Sequence, residues 1–342
     1  MAQIINWGII GLGNVALEFA NAFKDSNNAK LLGISSNNKN KIQKFMEKFN
    51  INKDYCFNKY EDLLNCEDID IIYIALPNSM HKEWIEKSIE KKKNILIEKP
   101  AFMSLMETEI IKKKIQNGNF FFSESFIYRY TPQIFKVLEL LRNNTIGKPI
   151  SMVSNYGSNI LTKKNIFGFR KKKKININNR LHSKKLGGGA ILDLGCYPVS
   201  LSILIASMVS KINYDKINVL NKIKEIGSTE VDINSYAKLE FENGFMSEIN
   251  ASFSKEIGKE TVIRGTDGVM RIMNPWQVEP STIILEGKIN KKIKVECVNN
   301  IFLYEINTIS KNILEGKTKP DFPGLSIEEI IGGTTVLDKW LN

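Results

Sequence analysis

Short apolar runs alternate with amphipathic stretches through the first third of the chain. QIINWGII at Gln3–Ile10, KLLGIS at Lys30–Ser35, DIIYIAL at Asp70–Leu76, NILI at Asn94–Ile97 and NFFFSES at Asn119–Ser125 are the apolar runs. Near-continuous runs of that length suit strands buried on both faces of a parallel sheet. Helical patterns lie between them: Leu17–Lys24, Asn40–Phe49, Tyr60–Leu64, His81–Lys91 and Ser104–Gln116, the last with Ser104 as its N-cap. Thr131–Leu141 is a further helix, and Gly147-Lys148-Pro149 punctuates the chain after it. Beyond that point strand patterns recur at Ile150–Tyr156, Lys216–Ile226, Ser235–Phe241, Phe245–Phe253, Glu260–Gly265, Ser281–Glu286 and Lys291–Cys297. Asn243-Gly244 between two of them is a hairpin signal. Helices at Phe302–Glu315 and Ser326–Leu341 finish the chain.

The chemistry begins at GLGNVA, Gly11–Ala16, which follows the first strand and opens the first helix. Gly11 permits a tight turn, Gly13 lets a pyrophosphate approach the backbone, and Ala16 keeps helix and strand close. The helix N-terminus offers unpaired N–H groups to phosphates. This context makes the first domain a doubly wound Rossmann domain. The fold class is therefore α/β: residues 1–125 form the dinucleotide-binding domain, and residues 126–342 form an α+β domain with a large, mostly antiparallel, open-faced sheet. At the end of the second strand stand Ser35, Ser36, Asn37 and Asn38, with Lys39 and Lys41 after them. An acid there reads a free ribose 2′-hydroxyl. Hydroxyl, amide and ammonium donors in its place favour NADP(H) over NAD(H).

At 342 residues the chain is long enough for two domains. Its 43% hydrophobic and 25% charged residues are those of a soluble globular protein. The net charge of +11 accompanies Lys, Asn and Ile spread along the whole chain, which argues for compositional bias rather than a nucleic-acid surface. The longest apolar stretch, Ala190–Val209, is broken by Asp193 and Pro198, so no membrane span is expected. With no charged n-region at the start, the expected location is cytoplasmic. Cys56, Cys66, Cys196 and Cys297 form no C-x-x-C pair, and His81 and His182 stand far apart, so neither disulfide nor metal is expected.

Pro77-Asn78 ends the Asp70–Leu76 strand at the carboxyl edge, where ligands bind in such sheets. His81, which opens the next helix, reads equally as a packing residue or a cofactor contact. Glu98-Lys99-Pro100 places Lys99 at another strand end facing the same crevice. Pro100 is a candidate for a cis bond. GGGAILDLGCYP, Gly187–Pro198, is an apolar helix carrying one acid, Asp193, and one phenol, Tyr197. Four residues apart on an α-helix, they share a face, whereas Gly195 falls about 200° round from Asp193.

GLGNVA, Glu98-Lys99-Pro100, Tyr128-Arg129 and GGGAILDLGCYP together resemble the Gfo/Idh/MocA oxidoreductases, the glucose–fructose oxidoreductase and inositol dehydrogenase family. SESFIYRYTPQ and RLHSKKLGGGAILDLGCYP are most similar to the trans-1,2-dihydrodiol and D-xylose dehydrogenase branch. The resemblance implies an NAD(P)-dependent oxidoreductase acting on a secondary alcohol of a sugar, sugar derivative or cyclic diol. It places the cofactor contacts on Gly11, Gly13, Asn14, Ala16, Ser36, Asn37, Pro77, Asn78, Glu98 and Lys99, and the catalytic set on Lys99, Asp193 and Tyr197. Tyr128, Arg129 and Arg180 are candidate substrate contacts. It also implies a homodimer or homotetramer through the C-terminal sheet. Two departures stand out. Asn37 occupies a position where many relatives place arginine, and Lys171–Lys174 is an added basic insert.

Alcohol oxidation needs a base. A phenol has a pKa near 10. An ammonium about 4 Å away contributes roughly 4 kcal/mol at an effective dielectric of 20, which lowers a phenol by up to about 3 pH units, less its desolvation. Tyr197 with Lys99 assisting fits that role, and Asp193 would orient the substrate hydroxyl. A non-catalytic sensor on the same scaffold has no use for all three groups. The loop from Asn159 to Lys185 reads either as a solvated insertion or as a lid that presents Arg180 and its lysines to an anionic substrate.

Overall fold

The computed structural model describes residues 3–164, 169–177, 179–277, 279 and 281–342. The chain forms two compact units: Met1–Thr131 with Val298–Ile330, and Pro132–Cys297 with Ile331–Asn342. The boundary expected after residue 125 therefore falls a few residues later, and a C-terminal stretch returns to the first unit.

Six strands build the sheet of the first unit: β1 (Ile5–Ile10), β2 (Ala29–Ser35), β3 (Cys56–Phe57), β4 (Ile71–Ile74), β5 (Asn94–Glu98) and β6 (Phe122–Ser125). All pair in parallel, in the order β3-β2-β1-β4-β5-β6. The order reverses at β1, so the carboxyl ends of β1, β2 and β4 flank the topological switch point where such sheets bind ligands. Helices α1 (Asn14–Ala22), α2 (Lys39–Phe49), α3 (Tyr60–Asn65), α4 (His81–Glu90) and α5 (Thr108–Gln116) connect them. α5 begins later than expected. A 3₁₀ turn at Leu105–Glu107 precedes it, and Ser104 makes no side-chain cap. Glu107 Oε2 instead accepts from Met103 N at 2.9 Å.

The second unit opens with α6 (Pro132–Arg142) and β7 (Pro149–Gly157). A short antiparallel pair follows, β8 (Thr162–Lys164) and β9 (Arg170–Lys172), then α7 (Cys196–Ser207). β10 (Asn218–Ile226), β11 (Asp232–Glu240), β12 (Met246–Ser252), β13 (Thr261–Gly265), β14 (Gly268–Met273), β15 (Thr282–Gly287) and β16 (Lys291–Lys294) complete an eight-stranded sheet with β7. Its order is β10-β11-β12-β7-β13-β14-β15-β16. Every pairing is antiparallel except β12 with β7. The expected hairpin at Asn243-Gly244 joins β11 to β12, with Gly244 at φ +81°. β8, β9 and β14 are additions to the expected strands.

The stretch Lys184–Ser207 is long enough, and at mean hydropathy 1.7 apolar enough, to cross a membrane, yet 89% of its apolar window is buried in the protein. Its hydrophobicity is that of a core helix. α7 lies on the sheet, where Ser202 Oγ and Ser247 Oγ on β12 hydrogen-bond at 2.7 Å.

Two further helices follow, α8 (Phe302–Leu314) and α9 (Ile327–Leu341). α8 packs on the first unit because its apolar stripe, Phe302, Ile306 and Ile309, joins the cluster of Trp7, Phe19 and Tyr73. Phe19 stacks on Tyr73 at 3.9 Å and meets Phe302 edge-on. Trp7 Nε1 donates to Ser310 Oγ at 2.9 Å, so the buried indole N–H is satisfied.

Candidate active site

In the first unit, Gly11 carries the turn out of β1. Its φ of +90° is in the left-handed region, and a Cβ there would lie 2.5 Å from the Ala75 carbonyl oxygen. Only glycine fits. Gly13 is different: its φ is −96°, and a Cβ would meet nothing within 4 Å. The space beside the backbone is open there, and α1 begins with no side-chain cap and no acid in its first turn. Its leading N–H groups are thus left for a ligand, which fits a bound pyrophosphate. At the end of β2, Ser36 Oγ accepts from Asn38 N at 3.2 Å, and Asn38 caps α2 through Lys41 N at 3.1 Å. Ser36 is buried, whereas Asn37 is exposed.

Pro77 and Asn78 follow β4, with Asn78 buried at the start of a 3₁₀ turn. His81 is wholly buried, and its two ring nitrogens lie 2.9 Å from the carbonyl oxygens of Leu76 and Pro100. It ties the end of β4 to the Lys99–Pro100 turn, which settles it as a packing residue. The Lys99–Pro100 peptide is cis. Lys99 is half-buried, with two buried carboxylic acids close by in the chain and fold. Glu98 accepts a hydrogen bond from Tyr73 OH. Glu124 Oε1 accepts from Ala101 N at 2.8 Å. Burial pushes the Glu124 carboxyl up to about 8, against the opposing pull of the Ala101 N–H, Arg129 and Lys99. Glu305 on α8, which accepts from Ser125 Oγ at 2.8 Å, is held well above the usual carboxylate range for the same reason.

Tyr128 and Arg129 are fully buried. Arg129 Nη1 lies 2.7 Å from Glu329 Oε1 and donates to Pro323 O at 3.0 Å. These bonds clamp the turn after β6 to the returning C-terminal stretch. The arrangement makes Arg129 part of a buried structural ion pair.

In the second unit, residues Ile191–Gly195 form a π-helical turn that runs into α7. The simple α-helical spacing assumed for Asp193 and Tyr197 therefore changes. π turns of this kind often mark functional sites. Gly189, at φ +110°, packs against Asp232, and Ile191 N donates to Asp232 Oδ2 at 2.8 Å. Asp232 thus caps the turn at its start. Gly195 faces away: a Cβ would lie 2.7 Å from the Trp340 ring. Asp193 is 8% exposed, and its Oδ1 lies 2.8 Å from Arg180 Nη1. Arg180 therefore engages the candidate catalytic acid directly. Tyr197 is half-buried, meeting Tyr156 edge-on at 5.1 Å and Trp276 at 5.6 Å. Tyr156 and Trp276 stack at 5.7 Å, and Trp276 Nε1 donates to Asn155 O at 3.1 Å. The phenol is set in an aromatic surround that fixes its ring.

Residues 5–124 match the family described as "Oxidoreductase family, NAD-binding Rossmann fold", and residues 134–271 match the GFO/IDH/MocA C-terminal domain. The chain belongs to the Gfo/Idh/MocA oxidoreductase family. A trans-1,2-dihydrobenzene-1,2-diol dehydrogenase of Xenopus laevis is 24% identical, covering 98% of this chain and 96% of its own. A D-xylose 1-dehydrogenase (NADP(+)) of Haloferax volcanii is 23% identical over 80% of this chain and 78% of its own. A 3-ketoreductase of Actinomadura kijaniata, solved with NADP and TDP-benzene, superposes with TM-score 0.81 at 20% identity, covering 98% and 96% of the two chains.

Within this Gfo/Idh/MocA scaffold the dinucleotide residues and the Glu98-Lys99-Pro100 turn belong to the first unit, and Asp193, Tyr197 and Arg180 to the second. Sequence reasoning did not anticipate Tyr156, Trp276, Asp232 or Glu124. The faint signals were a tyrosine at the end of a strand just before glycine, and a tryptophan in an NPWQ turn. Residues 165–168 and 178 of the basic insert lie outside the described residues, while Lys171–Lys174 are exposed.

Proposed function

We propose that this oxidoreductase transfers a hydride between NADP(H) and a secondary alcohol of a sugar, sugar derivative or cyclic diol, with Tyr197 as acid and base. The nicotinamide, when bound, supplies the hydride acceptor or donor. On oxidation Tyr197 takes the hydroxyl proton, and on reduction it returns one. The Lys99 ammonium assists by favouring the phenolate. Asp193, held by Arg180, orients the hydroxyl. The observation that carries this reading is the setting of Tyr197 edge-on against the stacked rings of Tyr156 and Trp276, four residues after Asp193 and its Arg180 partner. A fixed ring aims its hydroxyl, and stacked aromatic faces suit the C–H face of a sugar or carbocycle. The names of the dihydrodiol and xylose dehydrogenases support the same substrate class.

Phosphates of the dinucleotide are assigned to the open backbone at Gly13 and the N–H groups of α1. Support for NADP(H) comes from Ser36, exposed Asn37 and exposed Lys39, which stand where an acid would repel a 2′-phosphate. A homodimer or homotetramer formed through the eight-stranded sheet belongs to the same proposal.

The test is a fluorescence titration with NADH and NADPH, followed by turnover of aldoses, inositols, cyclic diols and sugar acids. Tyr197→Phe is expected to lower kcat by about 100-fold or more while cofactor affinity holds, and Lys99→Met to lower kcat on the same scale. A Tyr197→Phe chain with ordinary kcat overturns the assignment.

A further inference from the structure

We propose that the second unit contains a binding site for a small organic anion, formed by residues other than those assigned to hydride transfer. A cavity of about 430 Å³ opens beside the β8–β9 pair and the β10–β11 turn. Leu161 and Ile226 are among its apolar lining residues, and Lys172, Lys173, His182 and Ser254 among its polar ones.

Three features of those polar groups call for a ligand. Ser254 Oγ is buried and has no hydrogen-bond partner among the described residues. Buried hydroxyls are ordinarily paired, so this one lacks the partner that its burial calls for. The His182 ring packs edge-on to Phe253 at 6.4 Å, and no hydrogen bond to its nitrogens occurs among the described residues. The ammonium groups of Lys172 and Lys173 form no ion pair among the described residues, whereas Glu225, the carboxylate on the cavity wall, faces Lys255 at 3.9 Å.

Two cations, an imidazole and a hydroxyl without partners among the described residues, at a cavity with apolar walls, suit a carboxylate or phosphate borne on a compact body of about monosaccharide size. A purely solvated lysine face would need neither the cavity nor the buried hydroxyl. The inference does not rest on the reaction proposed above.

The test is calorimetric titration of the full chain saturated with NADPH, which fills the nucleotide crevice, using D-glucuronate, D-glucose 6-phosphate and neutral D-glucitol as probes. One or both anions are expected to bind, with D-glucitol silent. The anion that binds tells carboxylate from phosphate. The double variant Lys172→Gln/Lys173→Gln is expected to weaken that binding about tenfold or more, and Ser254→Ala to weaken it less. Failure of both anions to bind overturns the proposal, as does equal affinity in the double variant. Turnover of a neutral sugar by the double variant is expected to match the parent, which keeps this result separate from the hydride-transfer assignment.

Discussion

Arg180 Nη1 lies 2.8 Å from Asp193 Oδ1, and the two side chains differ sharply in exposure, at 47% and 11%. The acid is inside and its counter-ion reaches it from the solvent side. A pair with one exposed partner contributes about 1 kcal/mol or less to stability. Its larger effect is on where the carboxylate points. Arg180→Gln is therefore expected to shift Tm by only a few degrees, about what 1 kcal/mol produces, while lowering kcat/KM about tenfold or more through misorientation of Asp193. Thermal unfolding and steady-state kinetics on the same variant separate the two effects.

Gly11 and Gly13 make a contrasting pair. Alanine at Gly11 meets the Ala75 carbonyl oxygen at 2.5 Å on a backbone at φ +90°. Gly11→Ala is expected to destabilise the fold by about 2 kcal/mol or more. Alanine at Gly13 meets nothing within 4 Å. Gly13→Ala is expected to cost under about 1 kcal/mol in stability, yet to raise the cofactor Kd about tenfold or more by occupying the pyrophosphate's path. Denaturant melts and nucleotide titration of both variants check this.

Glu124 ties stability to pH. Its carboxyl is raised from 4.5 to about 8 in the folded chain, chiefly by burial. The neutral form is thus favoured by folding. The stability it contributes is fully present below pH 4.5 and is lost as pH rises through about 8. Glu305 is raised in the same direction and adds to the fall. At about 1.4 kcal/mol per pH unit, Glu124 accounts for up to about 5 kcal/mol. Glu124→Gln keeps an acceptor for Ala101 N and is expected to flatten part of the decline in ΔG between pH 5 and 8. Urea melts across that range measure it, and an unchanged slope would sink the assignment.

Arg129 is wholly buried and pairs with Glu329 at 2.7 Å. Removing one member of a buried pair leaves a charge without compensation, at about 3–5 kcal/mol. Arg129→Met is expected to lose stability on that scale or to fail to accumulate as folded protein. The double variant Arg129→Met/Glu329→Leu is expected to recover much of it. A variant that folds normally and loses only KM would return Arg129 to the substrate site.

Much of the architecture was legible because local pattern and burial agree. Continuous apolar runs became β1, β4 and β5, and glycine chemistry marked the turn at Gly11 and the hairpin at Gly244. Lys99, Asp193 and Tyr197 became candidates through motif spacing and the family resemblance. The π turn at Ile191–Gly195 was not legible, because it depends on Asp232, 41 positions from Ile191, accepting a backbone N–H. Nor were the partners of Arg180 and Arg129: an arginine near a motif reads alike whether it meets a ligand or a glutamate 200 residues away.

The amino-acid sequence by itself determined the two-domain plan, the nucleotide turn and which groups are candidates for the chemistry, since these rest on residue type and spacing within short windows. Tertiary structure alone decided what surrounds those groups. It returned α8 to the first unit, set Tyr197 against the stacked Tyr156 and Trp276, left Ser254 Oγ without a partner among the described residues, and buried Glu124 until its proton is held near neutrality. Burial, pairing and desolvation are properties of neighbours in space, and neighbours far apart along the chain meet only when it folds.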